Sequence, residues 1–262
     1  MHPSDCPAFR SLAEAAIFLN TRVSLLIYDN SPHPQIYSPH QAFNTLYYHN
    51  PANPGVGQAY NYAATIAQKL KKNWLLLADQ DTRFHPSLLN EYQKILVSFP
   101  NTNLIIPQLK DGNGLVSPFD LKGGRAFRRK NVSTGPANLE NHCFINSGLL
   151  IHTALFSTAG GYDSRFMLDF SDLYFRFKLL PCKPNMVIAP LLGTHALAVP
   201  EKMNALPRFQ LYTKALIDFS SLTNIKTFKF QLLLRSLHLA LRMGDFSFIA
   251  VAIKALAKRE SR

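Results

Sequence analysis

The sequence predicts an α/β fold, with a mostly parallel sheet flanked by helices. From Arg22 onward, apolar runs of strand length alternate with helical patterns, in the order strand, strand, helix, strand, helix. The chain has 262 residues, of which 47% are hydrophobic and 17% charged. That length and composition support one well-buried domain and exclude a disordered chain.

The first half of the chain supplies the clearest elements. Apolar runs predict strands at Arg22–Tyr28, Asn44–His49 and Asn73–Ala78. Alanines at helical spacing predict a helix over Gly57–Leu70, and Pro86 suits the first position of the next helix. Each strand except the second ends at a turn that contains aspartate.

The second half divides into a loop-rich segment, further strands and a helical end. Residues 110–141 predict loops; strand signals return at 143–151, 186–189 and 193–199, and a helix is predicted over Asp169–Leu180. From Asn204 the pattern is helical only. We therefore expect one α/β domain over residues 1–200 and a basic helical region over 201–262.

Charge and cysteine content restrict the partners and the compartment. The chain carries 28 Lys and Arg against 16 Asp and Glu, a net charge of +12, which favours nucleic acid, anionic lipid or a diphosphate as partner. Cys6, Cys143 and Cys182 show no metal-site spacing, which is typical of free thiols in a reducing compartment. No signal-peptide pattern and no run of about 20 apolar residues is present, so we expect a cytoplasmic protein.

The segment Asp79-Gln80-Asp81 directly follows an apolar strand. Ligands of open α/β sheets bind at the carboxyl ends of strands, where two nearby carboxylates can share Mg²⁺ or Mn²⁺. A solvated acidic turn is the alternative interpretation of this segment alone.

Three other positions are candidates for chemistry. Asp169 and Asp172 would share one face of the predicted helix with Arg176, and a carboxylate in a cleft can act as a general base. A surface helix with an ordinary ion pair explains the same spacing. His195 lies in an apolar run and is either a metal or phosphate contact or a core histidine.

The order of these segments resembles a known family. D-N-S after the first strand is followed by N-P-G-V-G-Q-A-Y-N, L-L-L-A-D-Q-D-T, I-N-S-G-L-L-I, G-G-Y-D-S-R-F-M-L-D-F-S-D-L-Y-F-R and G-T-H-A-L-A. Over Ser4 to Leu197 this series is similar to family 2 of the nucleotide-sugar glycosyltransferases, in particular to its rhamnosyltransferase-like branch. The resemblance implies a GT-A fold, which is a Rossmann-like sheet flanked by helices, with a C-terminal helical extension here.

The resemblance also implies roles for individual residues. The metal would be held by Asp81, with Asp79 and His195 beside it, and Asp172 would be the general base, with Asp169 next to it. The donor-binding residues would be Asp29 at the nucleoside, Asn53 and Asn61 at the edge of the pocket, Asp79 at the ribose, Ser147 and Gly148 at the sugar, and Arg176 as an orienting partner.

The implied activity is inverting, metal-dependent sugar transfer from a dTDP- or UDP-sugar, rhamnose-like or another hexose, to a lipid-linked O-antigen or capsule acceptor. Because the family's first strand has no counterpart here, we expect a strand to be missing before Ser4. Residues 201–262 hold 11 Lys and Arg against four acidic residues, so we expect this region to bind the anionic inner face of the cytoplasmic membrane; nucleic acid is not expected. The alternatives are a catalytically impaired homologue and a basic protein that only binds membrane or nucleic acid.

Overall fold

A computed structural model describes residues 3–122, 125–196, 205–224 and 227–260 of the chain. This part of the chain divides into two compact units. The second unit takes in segments 121–127 and 168–170 and the chain from residue 197 onward, and the first unit takes in the rest.

The first unit begins with helix α1, which spans Pro7–Phe18, followed by strands β1 (Val23–Asp29) and β2 (Phe43–His49). Pro7 takes the first turn of α1, where its missing N–H is no loss, and the Cys6 sulfur accepts the Phe9 N–H at 3.4 Å. β1 and β2 pair in parallel from Val23↔Phe43 to Asp29↔His49 and form a sheet of their own. Both predicted strands are confirmed.

The remaining elements before residue 197 form a larger mixed sheet, a separate β7–β8 pair and the accompanying helices, and their bounds are as follows: α2 Val56–Lys69, β3 Trp74–Leu76, β4 Thr82–Phe84, α3 Leu88–Ser98, β5 Leu104–Asp111, β6 Gly114–Ser117, β7 Phe119–Lys122, β8 Arg125–Arg128, β9 Gly135–Ala137, β10 Leu150–His152, α4 Thr153–Thr158, α5 Ser171–Leu179 and β11 Met186–His195. The large sheet has the order β3-β10-β5-β11-β4, with β6 on β5 and β9 on β11, while β7 pairs with β8.

The strand directions in this sheet are mixed, where the sequence predicts mostly parallel strands. β5 and β11 are parallel, but β10 runs antiparallel to both β3 and β5, and β4 runs antiparallel to β11. The predicted class, an α/β fold with a central sheet flanked by helices, is confirmed.

The central strand β5 separates two apolar clusters. Ile106 packs on one side with Leu77, Phe144 and Phe175, and Ile105 packs on the other with a second cluster that includes residues of α1 and α3. This alternation is the two-residue period of a strand that is buried on both faces. The sequence analysis did not identify β5, because Pro107 interrupts its apolar run.

Several predicted boundaries need correction. The helix predicted over Asp169–Leu180 begins only at Ser171, because Phe170 has a left-handed backbone (φ 63°) that a helix cannot include. Asp169 and Asp172 therefore do not share a helix face. The strand predicted over 143–151 is reduced to β10, and the pieces predicted at 186–189 and 193–199 form the single strand β11 as far as His195; residues 197–199 lie outside the described residues. The loop-rich segment 110–141 contains β6 to β9.

The second unit is helical in its C-terminal part, as predicted. Its helices are α6 (Ala205–Thr223), α7 (Phe228–Met243) and α8 (Ser247–Glu260), and they pack around Phe209 and Leu232. Gly244 ends α7 in a left-handed conformation, and Asp245 caps α8 by accepting the Ser247 N–H at 2.8 Å. Among the helices that the structure describes, none has the length and apolar content to cross a bilayer.

Candidate functional site

Asp79 and Asp81 follow β3 at its carboxyl end, and the sheet brings His195 to the same place. β4 and β11 pair so that Thr82 lies opposite His195, and the Thr82 hydroxyl is 2.7 Å from His195 Nδ1. His195 Nδ1 is also 3.4 Å from Asp81 Oδ1. A histidine that lies 113 residues from Thr82 in the sequence thus becomes a neighbour of the D-Q-D segment.

The Asp81 carboxylate has an unsatisfied oxygen. Its Oδ1 atom is buried and accepts no hydrogen bond from any described residue. Buried carboxylate oxygens are costly unless a donor or a cation meets them, so such an atom is a ligand position in need of a partner. The side chain as a whole is 40% exposed, which leaves an approach from solvent.

Asp79 is the more buried of the two acids. The Tyr60 hydroxyl donates to its Oδ1 atom, and its backbone N–H donates to Ser147 Oγ at 3.1 Å. Burial raises the pKa of Asp79 above its usual range; the Tyr60 hydrogen bond opposes this shift, and the charge of Asp81 adds to it. The charge of Asp81 next to the Asp79 carboxylate makes this an electronegative site.

These residues fit a divalent cation that is shared with a phosphate ligand. Among the described residues, no group of three or more His, Cys, Asp and Glu side chains could hold a metal ion alone. Mg²⁺, however, is commonly held by one or two carboxylates, and substrate phosphates and water complete its shell. The Asp81 oxygen, with His195 Nδ1 3.4 Å away, could supply part of such a set of ligands.

Tyr162 connects the D-Q-D end of β3 to the start of α5. The Asn61 amide holds the Tyr162 backbone with two hydrogen bonds, of 2.8 Å to its N–H and 2.9 Å to its carbonyl oxygen. The Tyr162 hydroxyl donates to Asn146 Oδ1 at 2.7 Å. Burial raises the pKa of Tyr162 well above its usual value, and the charges of Asp172 and Asp79 raise it further. Both candidate acids therefore act on the same tyrosine.

Asp172 lies in the first turn of α5, where a negative charge is favoured by the helix dipole. It is half-buried, and its Oδ1 atom accepts the Leu173 N–H at 2.8 Å. Arg176, one turn later, donates to the carbonyl oxygens of His142, Leu139 and Glu140 at 2.6 to 2.9 Å. Arg176 thus anchors the segment before β10 to α5.

Asp169 has a different environment. It belongs to the second unit, where the Arg208 guanidinium grips both of its carboxylate oxygens, one of them at 2.9 Å. Two parallel hydrogen bonds of this kind form a strong charge-assisted pair. The structure therefore gives Asp169 a partner on α6 that the sequence analysis did not anticipate.

Ser147 and Gly148 lie next to the D-Q-D segment, where the Ser147 hydroxyl accepts the Asp79 N–H. Ser147 is completely buried, and Gly148 has a φ of 80°. A Cβ atom at position 148 would lie 2.5 Å from Pro107 Cγ, so only glycine fits there unless Pro107 moves. The hydroxyl of the buried Tyr92 donates to the Gly148 carbonyl at 2.5 Å.

The two asparagines predicted to bind the donor, Asn53 and Asn61, have different environments. Asn53 is exposed, with a φ of 43°, while Asn61 is committed to Tyr162. Gly55 begins α2 with a φ of 95°, and the neighbouring Val56 N–H donates to the Met167 carbonyl at 2.9 Å. A side chain at Gly55 would collide with the Met167 backbone, at 2.4 Å. The entry to α2 is thus joined to the loop that precedes α5.

Asp29 ends β1 with both carboxylate oxygens satisfied. Oδ1 accepts the Ser31 N–H at 2.8 Å, and Oδ2 accepts the Gln35 N–H at 2.9 Å and the Tyr47 hydroxyl. Burial acts to raise the pKa of Asp29, but these hydrogen bonds outweigh it and lower the pKa to about 2. Asp29 is therefore ionised at neutral pH and fixes the turn after β1.

Two tyrosines of the candidate site, which donate to Asp79 and to Asn146, were not predicted from the sequence. Tyr60 and Tyr162 stand in the quoted segments Q-A-Y-N and G-G-Y-D, but no spacing rule connects them to Asp79 or Asn146. Thr82, directly after Asp81, was also not considered as a partner of His195. Each of these three residues lies inside one of the motifs given above, and that position was the indication of its role that the sequence offered.

Comparisons with known proteins place the fold. No protein-family model matches the sequence, and no curated protein matches it. Solved structures do match: the crystal structure of S. aureus TarS 1–349 superposes with a TM-score of 0.55 at 14% identity, over 99% of this chain and 80% of that chain. TarS is a GT-A-type glycosyltransferase.

The chain has a glycosyltransferase fold.

Two further TarS structures agree with this result. TarS 1–349 in complex with UDP-GlcNAc gives a TM-score of 0.55 at 12% identity, over 84% of this chain and 64% of that chain. The longer TarS chain gives a TM-score of 0.52 at 11% identity, over 82% of this chain. The chain spans 38% of the length of that longer TarS chain. Identities this low establish the fold, and the activity has to be argued from the site.

Proposed function

We propose that the chain is an inverting, metal-dependent glycosyltransferase that uses a nucleotide-sugar donor. The observation that carries this proposal is the buried Asp81 oxygen without a hydrogen-bond donor, next to Asp79 and His195 at the carboxyl end of β3. In a glycosyltransferase fold, an electronegative site with one unsatisfied ligand atom suits a cation that accompanies a nucleotide diphosphate.

Asp81, Asp79 and His195 would hold Mg²⁺ or Mn²⁺. The ion, when bound, supplies positive charge that stabilises the departing nucleotide diphosphate. Asp81 contributes its unsatisfied oxygen, and Thr82 keeps the His195 ring in place through Nδ1. Tyr60 holds the Asp79 carboxylate through a hydrogen bond, which restricts the positions that this acid can take.

Asp172 would act as the general base. It removes the proton from the acceptor hydroxyl, whose oxygen attacks the anomeric carbon as the bond to the diphosphate breaks, so the configuration inverts. Its half-buried position at the start of α5 and its electrostatic effect on Tyr162, which Asp79 also influences, support this role. We favour Asp172 over Asp169 as the base, because the motif resemblance assigns this role to the position of Asp172 and because Asp172 lies in the first turn of α5.

The donor and the acceptor are proposed from the motif resemblance and from chemistry. A UDP- or dTDP-sugar, rhamnose-like or another hexose, would bind near Asp29, Asn53, Asn61, Ser147 and Gly148. TarS 1–349 was crystallised with UDP-GlcNAc, which supports a nucleotide sugar as the donor class. The acceptor would be a lipid-linked surface glycan at the inner face of the cytoplasmic membrane, and the net charge of +12 favours that anionic surface.

The test of this proposal is a transfer assay with UDP- and dTDP-sugars, lipid-linked acceptors and Mn²⁺. We expect activity that EDTA removes and that added Mn²⁺ restores. Asp172→Asn should lower the rate by about 10²–10⁴-fold, the usual share of general base catalysis, without weakening donor binding. Asp169→Asn is the matched control.

Three outcomes would contradict parts of this proposal. Full activity in EDTA would remove the metal from the mechanism. A dead Asp169→Asn variant together with a nearly normal Asp172→Asn variant would transfer the role of base to Asp169. If donor binding persists but no sugar is transferred to or hydrolysed by the wild-type chain, a catalytically impaired homologue becomes the better interpretation.

A further inference from the structure

Helix α7 presents an uncovered apolar face. Its inner side is formed by Phe228, Leu232, Ser236 and Ala240, four buried residues at intervals of four, with Leu232 completely buried. Five large apolar side chains on the same helix are exposed instead: Phe230, Leu233, Leu234, Leu237 and Leu241. Phe230 is 66% exposed and Leu241 is 71% exposed.

These five residues, which we call the α7 stripe, lie side by side. Successive residues of an α-helix are turned by about 100°, so positions 230, 233, 234, 237 and 241 fall within an arc of about 100° on one side of the helix, next to the buried row. Phe246, in the turn after α7, is also 71% exposed. Single exposed leucines are ordinary, but a continuous apolar row marks an interaction surface.

Helix α7 carries basic residues besides the α7 stripe, and it contains no acidic residue. Residues 228–243 contain Lys229, Arg235 and Arg242 but neither aspartate nor glutamate. Arg235 is held in position, because its guanidinium lies 4.0 Å from the centre of the Tyr212 ring on α6. A helix with an apolar face and basic flanks is the pattern of segments that lie in the surface of an anionic bilayer.

We propose that the α7 stripe is the membrane-docking surface of this protein and that its partner is an anionic lipid bilayer. This inference deepens the proposed function and rests on it for the choice of a lipid-linked acceptor. The leucines would enter the boundary between headgroups and acyl chains, while Lys229 and Arg242 meet lipid phosphates.

A second copy of the chain fits this surface less well than a bilayer does. In a symmetric dimer the same patch meets itself, so the three basic residues of α7 would approach the same three residues of the partner. Like charges at an interface oppose association, and α7 offers no carboxylate to balance them. Lipid phosphates supply the opposite charge.

The α7 stripe also narrows the expected membrane contact from the whole region 201–262 to one helix. The sequence analysis assigned the basic region 201–262 to the membrane as a whole. In the structure, Ile249 and Leu256 of α8 are partly buried against the core of the second unit, so much of the apolar side of α8 is already covered. The exposed leucines are concentrated on α7.

The test is flotation of the whole chain with vesicles of phosphatidylcholine alone or mixed with phosphatidylglycerol, at low and high salt. The wild-type chain should float with the anionic vesicles, less so at high salt, and little with neutral ones. Leu237→Gln combined with Leu241→Gln should lower the bound fraction by about tenfold or more. Val97→Gln, at a residue of α3 that is 77% exposed, is the matched control and should float like the wild type.

A charge variant gives an independent measurement. Arg242→Gln should weaken binding to anionic vesicles by about fivefold, since one basic residue near such a surface contributes about a factor of that size. Lys69→Gln, at the end of α2, is its control. Circular dichroism of each variant verifies that the helices are intact.

The outcomes separate this proposal from the proposed function. No flotation by the wild-type chain, or an equal loss in the α7 and Val97 variants, would overturn docking through α7. A wild-type dimer in light scattering that Leu237→Gln with Leu241→Gln converts to a monomer would show that a second copy covers the stripe. Flotation needs no donor, so Asp172→Asn should float like the wild type, and a failure of sugar transfer would leave this result unchanged.

Discussion

Asp29 and Asp81 both follow a strand of the first unit, yet their carboxylates have opposite environments. Asp29 accepts two backbone N–H groups and the Tyr47 hydroxyl, and its pKa falls to about 2. The buried Oδ1 atom of Asp81 accepts no hydrogen bond from the described residues, and the pKa of its neighbour Asp79 is raised by burial and by the charge of Asp81. The same residue type is a fixed structural anchor in one turn and an incomplete ligand site in the other.

This contrast indicates which of the two carboxylates is suited to bind a ligand. A carboxylate whose oxygens are all occupied lowers the free energy of the folded chain without a ligand. A carboxylate with a vacant buried oxygen costs free energy until a cation or donor reaches it, and natural proteins keep such atoms mainly where they have a function. The comparison therefore separates Asp81 from Asp29 more clearly than sequence position does.

The largest effect expected from this comparison concerns the two tyrosines that donate to these turns. Tyr60→Phe removes the hydrogen bond to Asp79, so we expect Mn²⁺ affinity to fall by about 10–100-fold, as for other partners that orient metal ligands. Tyr47→Phe removes the equivalent bond to Asp29 and should leave Mn²⁺ affinity unchanged. Mn²⁺ activation curves of sugar transfer measure both variants.

Equal shifts of the Mn²⁺ activation curve in the two tyrosine variants would contradict the distinction between the two turns. An unchanged curve for Tyr60→Phe would mean that Asp79 does not depend on its tyrosine for metal binding.

A smaller effect concerns stability and pH. Because the pKa of Asp29 is about 2 in the folded chain, below its ordinary value of 3.8, its ionised form stabilises the fold above about pH 4. This contribution is lost as the pH falls towards 2. Asp29→Asn should therefore lower the free energy of unfolding by about 2 kcal/mol at pH 6, and the difference from the wild type should shrink between pH 4 and 2.

Urea unfolding at several pH values measures this difference. Glu14→Gln, at an exposed position of α1, is the control and should leave stability nearly unchanged. A difference between Asp29→Asn and the wild type that stays constant from pH 6 to pH 2 would show that the ionisation of Asp29 does not stabilise the fold.

Much of the fold could be predicted from the sequence where the apolar pattern is continuous. β1, β2 and α2 agree with the predictions within two residues, because the apolar run V-S-L-L-I-Y is typical of a strand and the alanines are spaced as in a helix. β5 was not predicted, because Pro107 interrupts its apolar run and because its burial depends on strands that are far away in the sequence. The predicted start of α5 is two residues too early, because the left-handed conformation of Phe170 cannot be recognised from composition.

The candidate site was predictable in its residue types and less so in its connections. The D-Q-D segment and His195 were named from the sequence, and the structure brings Asp81 and His195 to 3.4 Å. The commitments of Asn61 to Tyr162, Arg176 to backbone carbonyls and Asp169 to Arg208 arise only from three-dimensional packing. The roles of these residues in donor binding and catalysis remain predictions.

The most direct test of the central claim is Mn²⁺ binding to the chain in the presence of UDP, followed by electron paramagnetic resonance. The wild-type chain should bind Mn²⁺ together with UDP, and Asp81→Asn should weaken that binding by about 100-fold or more, since a ligand oxygen is lost. Glu14→Gln, at an exposed position of α1, should bind like the wild type. Mn²⁺ binding that is unchanged in Asp81→Asn would contradict the assignment of Asp81 as the metal ligand.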